Sequence, residues 1–241
     1  MKKHISQNNL TTLLTFLIFL IFLFTFSTYT RNAIWQNEIT LWQDVVNKSP
    51  LKAQTHSSFA AALSNINLLD DALGQINRAI DLSPSFEIAY YNRGNIHWKM
   101  GLVDLAIFDF TTAIVLRPNY AEAYNNRGTI YNKTGKPGKA VADFKEVIAI
   151  YPDNAIGFFN LGNAQFDQAE YFIAIDCYTK AISLQSEFLD KIYFNRGLAY
   201  REMGLFEDAE KDFQMASKIT ALKPPINRTG ISSSSLSPYI M

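Results

Sequence analysis

The sequence predicts an all-α chain in which a single N-terminal transmembrane helix is followed by a solenoid of helix–turn–helix repeats. Three observations predict it. A glycine returns every 34 residues, at Gly94, Gly128 and Gly162, with Gly197 one residue late, and a fixed period of that length marks stacked copies of one supersecondary unit. Other residue types recur in register with that glycine. Residues 5–30 carry no charge, and Leu10 to Tyr29 is dominated by Leu, Ile and Phe over 20 positions, long enough to cross a bilayer.

Taken in chain order, residues 1–9 are a short flank and 10–29 a membrane-spanning helix. The competing reading is a cleaved signal peptide with Lys2 and Lys3 as its basic start. The stretch Phe26-Ser-Thr-Tyr-Thr-Arg31 has no A-x-A-like small-residue site, which favours an uncleaved, integral single-pass anchor. Lys2 and Lys3 precede the segment closely, whereas Arg31, Lys48 and Lys52 follow more sparsely. That bias puts the N-terminus in the cytoplasm and the repeats on the extracytoplasmic side, periplasmic or lumenal. Residues 31–52 read as a juxtamembrane half-repeat: one period back, Trp42 takes an aromatic slot, Val45 a small-residue slot and Pro50 a closing slot. Such a half-repeat would cap the first full unit. Trp35 fits equally well at a membrane interface.

The full units are 53–86, 87–120, 121–154, 155–188 and 190–221. Four residues before the glycine stand Tyr90, Tyr124, Phe158 and Tyr193; 12 after it stand Ala106, Ala140, Ala174 and Ala209. Sixteen after it come Phe110, Phe144, Tyr178 and Phe213, and three further on Ala113, Val147, Ala181 and Ala216. Pro118 and Pro152 close two units. In 53–86, Ala60 replaces the glycine while Ala72, Ile76, Ala79 and Pro84 keep the register. Within 87–120 the apolar residues Ile88, Tyr91 and Ile96, then Leu105, Phe108 and Ile114, recur at mixed three and four spacing, as two amphipathic helices require. Gly101, Gly135 and Gly204 mark the turn between them. These marks resemble the tetratricopeptide (TPR) repeat, and the resemblance implies a right-handed superhelix whose first helices line a concave groove.

The junction carries a further resemblance. A membrane helix followed by R-N-x-x-W-x-x-E-x-x-L-W-x-D-x-V from Arg31 to Val46, and then by TPR units, is similar to the C-terminal end of TPR-bearing multi-spanning membrane proteins related to protein O-mannosyltransferases. In those proteins the repeats are non-cytoplasmic. The likeness covers roughly residues 20–60 and none of the catalytic region, so no transferase activity is carried over.

On the TPR resemblance, ligand-facing residues fall at the second, fifth, sixth, ninth, twelfth and thirteenth positions of each unit. The sixth position gives Asn92, Asn126, Asn160 and Asn195. One amide per unit could hold an extended peptide backbone, since each offers a donor and an acceptor; it would serve as well to satisfy groups between stacked helices. Tyr91, Trp98, Phe159, Phe166 and Phe194, with Asn95, Thr129, Asn132 and Asn163, share that surface. Aromatics among amides suit apolar side chains of a bound segment, and each ring suits helix packing too. Lys99, Lys133, Asp167, Lys191, Arg201 and Glu202 have mixed signs and read as solvated charges. The fifth positions, Ser57, Tyr91, Asn125, Phe159 and Phe194, contain no lysine, which argues against a carboxylate clamp.

Arg93, Arg127 and Arg196 each lie in an Asn-Arg-Gly triplet, and 16 residues after each stands an aspartate: Asp109, Asp143 and Asp212. Where the arginine is missing, so is the aspartate: Phe59 is followed by Gln75, and Leu161 by Cys177. The coupling points to structural ion pairs within a unit, because an enclosed charge is costly unless its partner arrives with it.

With 241 residues, 48% apolar and 18% charged, the chain can bury a sizeable core, and a formal net charge of zero argues against a nucleic-acid binder. The single Cys177 reads as a small core residue, and His4, His56 and His97 are scattered, so the sequence suggests neither a metal site nor a cofactor. No phosphate-cradling loop or nucleophile elbow is present, and the chain reads as a non-enzyme with no small-molecule substrate. The tail 222–241, rich in Ser, Pro and Gly, reads as disordered, leaving the last unit without an obvious polar cap. Asn132-Lys-Thr134 and Asn227-Arg-Thr229 are N-x-T matches that matter only in a glycosylating compartment. The function this implies is a membrane-anchored TPR scaffold that binds a protein or extended peptide. The alternatives are an accessory or truncated C-terminal portion of a TPR-bearing membrane glycosyltransferase, and a self-assembling structural solenoid.

Overall fold

The computed structural model describes residues 7–34, 37–184 and 187–222. Lys2, Lys3, His4, Trp35 and the tail beyond Leu222 lie outside the described residues, as do the side chains of residues 7–11 and 30–34. Every described element is a helix, and no strand occurs among the described residues. The chain divides into two compact units, Met1–Asn92 and Arg93–Met241.

The first unit begins with α1 (Gln7–Ile34), which contains an 18-residue window, Thr12–Tyr29, of mean hydropathy 2.1 with none of it buried. It is long and apolar enough to cross a membrane, and a signal sequence would meet the same criterion. Next comes α2 (Glu38–Lys48), capped by Asn37, whose side chain accepts from the Ile39 amide at 2.9 Å. It packs on α3 (Ala53–Asn65), burying Val46 and half-burying Trp42 and Val45. α3 pairs with α4 (Leu69–Leu82), and the interface closes on Ala60, Ala72, Ile76 and Ala79, none of which has any exposed area.

α5 (Glu87–Lys99) spans the division between the two units, and the second unit continues as α6 (Val103–Leu116), α7 (Ala121–Lys133), α8 (Pro137–Ile150), α9 (Ala155–Phe166), α10 (Tyr171–Ser183), α11 (Leu189–Glu202) and α12 (Phe206–Leu222). α7 pairs with α8, α9 with α10 and α11 with α12, and each hairpin packs on the next. The period-34 glycine marks the closest approach within each hairpin. A Cβ on Gly162 would stand 2.6 Å from Tyr178 Cε1, and one on Gly197 would stand 2.7 Å from Phe213 Cε1. The fully buried alanines 106, 113, 140, 174 and 181 allow equally close crossings from the second helices.

One backbone device ends the first helix of each hairpin. Asn67, Gly101, Gly135, Ala169 and Gly204 all have positive φ, between 61° and 77°. The amide after each donates back five residues, as from Leu102 to His97 O at 2.8 Å and from Glu170 to Gln165 O at 2.9 Å. This is the left-handed helix stop that glycine makes without steric cost and asparagine tolerates. Ala169 carries the strain of a Cβ there, so Ala169→Gly is expected to stabilise the protein by about 1 kcal/mol in thermal or urea melts.

Candidate functional site

The first helices present their sixth-position amides to the first helix of the preceding hairpin. Asn92 Nδ2 donates to Ser57 Oγ at 2.9 Å. In the second unit, Asn126 Nδ2 donates to Asn95 Oδ1 at 2.9 Å, Asn160 Nδ2 to Asn125 Oδ1 at 2.9 Å, and Asn195 Nδ2 to Asn163 Oδ1 at 2.8 Å. The amide nitrogen of every residue in the ladder is therefore engaged with the preceding hairpin. Asn95 and Asn163, at the ninth position, supply two of the acceptors.

The arginines lie behind this surface. Arg93 forks onto Asp109, with Nη2 at 2.8 Å and Nε at 3.1 Å, and Asp109 also meets His97 Nδ1 at 2.7 Å. Arg127 reaches Asp143 at 2.7 and 2.9 Å, and Arg196 reaches Asp212 at 2.7 and 2.8 Å. Each of the last two also donates to a threonine on the preceding second helix, Arg127 to Thr111 and Arg196 to Thr179, both at 2.9 Å. All three aspartates are buried. Burial pushes the Asp143 carboxyl up while the Arg127 guanidinium draws it back, burial being the larger effect. Where the pair is absent, other contacts fill the place: His56 Nδ1 lies 2.8 Å from Gln75 Oε1, while Leu161 and Cys177 share an apolar cluster. Burial pushes the Cys177 thiol up to about 11, which keeps it protonated at neutral pH.

The open part of the first-helix face is a cavity of about 300 Å³ lined from three successive hairpins by Asn132, Asn163, Phe166, Asp167, Tyr178, Asn195 and Leu198. Phe166 is half-buried, edge-on to Tyr171 with centroids 5.2 Å apart. Phe159 packs at 6.0 Å against Tyr178. Trp98 is half-buried beneath Lys133 Nζ, 5.5 Å from the ring centroid, and Tyr91 is half-buried on α5. Sequence reasoning missed Leu198 and, with more consequence, Tyr178. It reads as a repeat-core aromatic, yet its hydroxyl donates to Asn163 Oδ1 at 2.8 Å, and burial pushes that hydroxyl's pKa up. The available signal was tyrosine at a position where three other units have phenylalanine.

Two neighbouring segments, 88–120 and 121–154, and a third, 190–221, match tetratricopeptide repeat families. These segments are tetratricopeptide repeats. The TPR matches leave 53–86 and 155–188 uncovered, although the structure forms a helical hairpin in each, and they do not reach the 20–60 junction. No curated protein matches the chain. Its TPR fold is similar to that of MamA, at 24% identity over 70% of this chain and 92% of that one, with a TM-score of 0.64. It is similar to YrrB, described as a TPR protein with an unusual peptide-binding site, at 20% identity over 75% of this chain and 92% of that one, with a TM-score of 0.63. It is also similar to MamA of Desulfovibrio magneticus RS-1, at 19% identity over 70% and 95% of the two chains, with a TM-score of 0.65. At these identities the likeness is one of fold.

Proposed function

We propose that the chain is a membrane-anchored TPR scaffold whose first-helix face holds an extended segment of a protein partner. The observation that carries this reading is the cavity across α7, α9 and α11, where amides of three hairpins, Asn132, Asn163 and Asn195, converge beside the half-buried Phe166. In this reading Asn95, Trp98, Phe159, Asn163 and Phe166 meet the partner. Asn92, Asn126, Asn160 and Asn195 set the spacing between hairpins, and the three arginine–aspartate pairs hold closed the three hairpins that carry them. The peptide-binding description of YrrB supports the same kind of ligand. The role is non-catalytic and extracytoplasmic, with α1 as the anchor; the apolar, unburied Thr12–Tyr29 window supports the anchor.

A second reading is favoured by one further observation. A groove of about 680 Å³ at the last hairpin is lined by Phe159, Lys191, Phe194, Phe213, Ala216 and Thr220, and Phe194 is 49% exposed. The corresponding positions of the 121–154 hairpin line a cavity of about 230 Å³ shared with Ile156 of the next first helix. A second copy of the chain docking on this end would make a self-assembling solenoid.

The test is a pull-down from native membranes with the full chain, the groove variant Phe166→Asp and the end variant Phe194→Asp, each checked for folding by melting. Loss of the partner from Phe166→Asp alone supports the groove. Retention there with loss from Phe194→Asp transfers the function to the end surface.

A further inference from the structure

The cavity across α7, α9 and α11 has more acceptors than the protein fills. Asn163 Oδ1 already accepts from Asn195 Nδ2 and Tyr178 Oη, at 2.8 Å each. Asn132 Nδ2 donates to Asp167 Oδ2 at 2.6 Å, which leaves Asn132 Oδ1 buried without a partner. Asp167 itself is exposed. A carboxylate can accept several further hydrogen bonds, and the ion pairs among the described residues do not include Asp167. Two lysines of the flanking first helices are turned elsewhere, Lys133 of α7 over Trp98 and Lys191 of α11 over Phe188, each 5.5 Å from its ring. Phe166 adds an aromatic wall.

A carboxylate, an orphaned amide oxygen and a ring around about 300 Å³ define a receptor for a donor-rich cation. A buried acceptor without a partner is unfavourable, and an arriving donor removes that cost. We infer that this cavity takes a cationic side chain, arginine in preference to lysine, from the extended segment lying on the first-helix face; this rests on the groove reading above. Arginine fits best because its planar fork can donate to Asp167 and Asn132 together while its flat face lies on Phe166. The site is thus opposite in sign to a carboxylate clamp.

The experiment uses the detergent-solubilised full chain and fluorescent dodecapeptides of alternating leucine and serine, with arginine, its neutral isostere citrulline, lysine or glutamate at the centre. Fluorescence anisotropy is expected to show the arginine peptide binding at least tenfold tighter than the citrulline peptide. Asp167→Asn should bring the two within twofold, and Asp167→Lys should turn the preference toward glutamate. Glu207→Gln, which removes a charge on α12 away from the cavity, should leave the ratio unchanged. Peptides that bind with equal affinity whether they carry arginine or citrulline would overturn the cation site and leave the groove standing. Failure of every peptide to bind would overturn both.

Discussion

Arg127→Leu is expected to destabilise the repeats by about 3 kcal/mol, because it leaves Asp143 buried at 4% exposure without the guanidinium that now meets it at 2.7 and 2.9 Å. The same change removes the bond to the Thr111 hydroxyl that links this hairpin to the one before. Adding Asp143→Cys should recover at least half of the loss. The physical ground is that a carboxylate enclosed without its guanidinium is costlier than two well-packed apolar groups in the same place. The protein contains that solution already: Leu161 and Cys177 stand at the equivalent positions of the next hairpin, in an apolar cluster with Ala140, Phe144 and Ala164. Thermal and urea melts of the two single variants and the double variant make a complete cycle. Losses that simply add would show that the two side chains do not act as a pair.

The second large effect sets one substitution against itself at two glycines. Gly162→Ala would place a Cβ 2.6 and 2.8 Å from Cε1 and Cδ1 of Tyr178, a side chain 1% exposed that cannot swing aside without breaking its bond to Asn163. Overpacking at such a crossing costs about 1–3 kcal/mol, more than alanine's helix propensity of about 1 kcal/mol returns. Gly74→Ala, in the exposed interior of α4 with nothing within 4 Å of the new Cβ, should raise stability by up to about 1 kcal/mol. A Gly162→Ala protein that melts at or above the parent would contradict the close-approach account of the repeating glycine.

How much of this is legible in the amino-acid sequence depends on how often a physical problem recurs. A glycine facing an aromatic 16 residues later solves the same crossing in four hairpins, so its period exposes the fold. The arginine–aspartate coupling has the same 16-residue spacing, and there the structure has forked, charge-assisted bonds. What several residue types can supply, or one residue type can supply in two ways, leaves no such trace. The left-handed stop is plain at three glycines and hidden at Asn67 and Ala169, where another residue adopts the same φ. The direction of the amide ladder is hidden too, because an asparagine can donate either to a ligand or to a neighbour, and only the stacking geometry chooses. Tyr178 and Asp167 look like a core ring and a solvated charge until three hairpins bring them into one cavity.

The account rests most heavily on the first-helix face being the surface that meets a partner. The most direct measurement is site-specific photo-crosslinking in native membranes, with a photoreactive residue in place of Leu198 inside the cavity or of Phe172, 67% exposed on a second helix. The account predicts a discrete crosslinked partner from position 198, diminished by Phe166→Asp, and none from position 172. A partner captured from position 172 and absent from position 198 would contradict it.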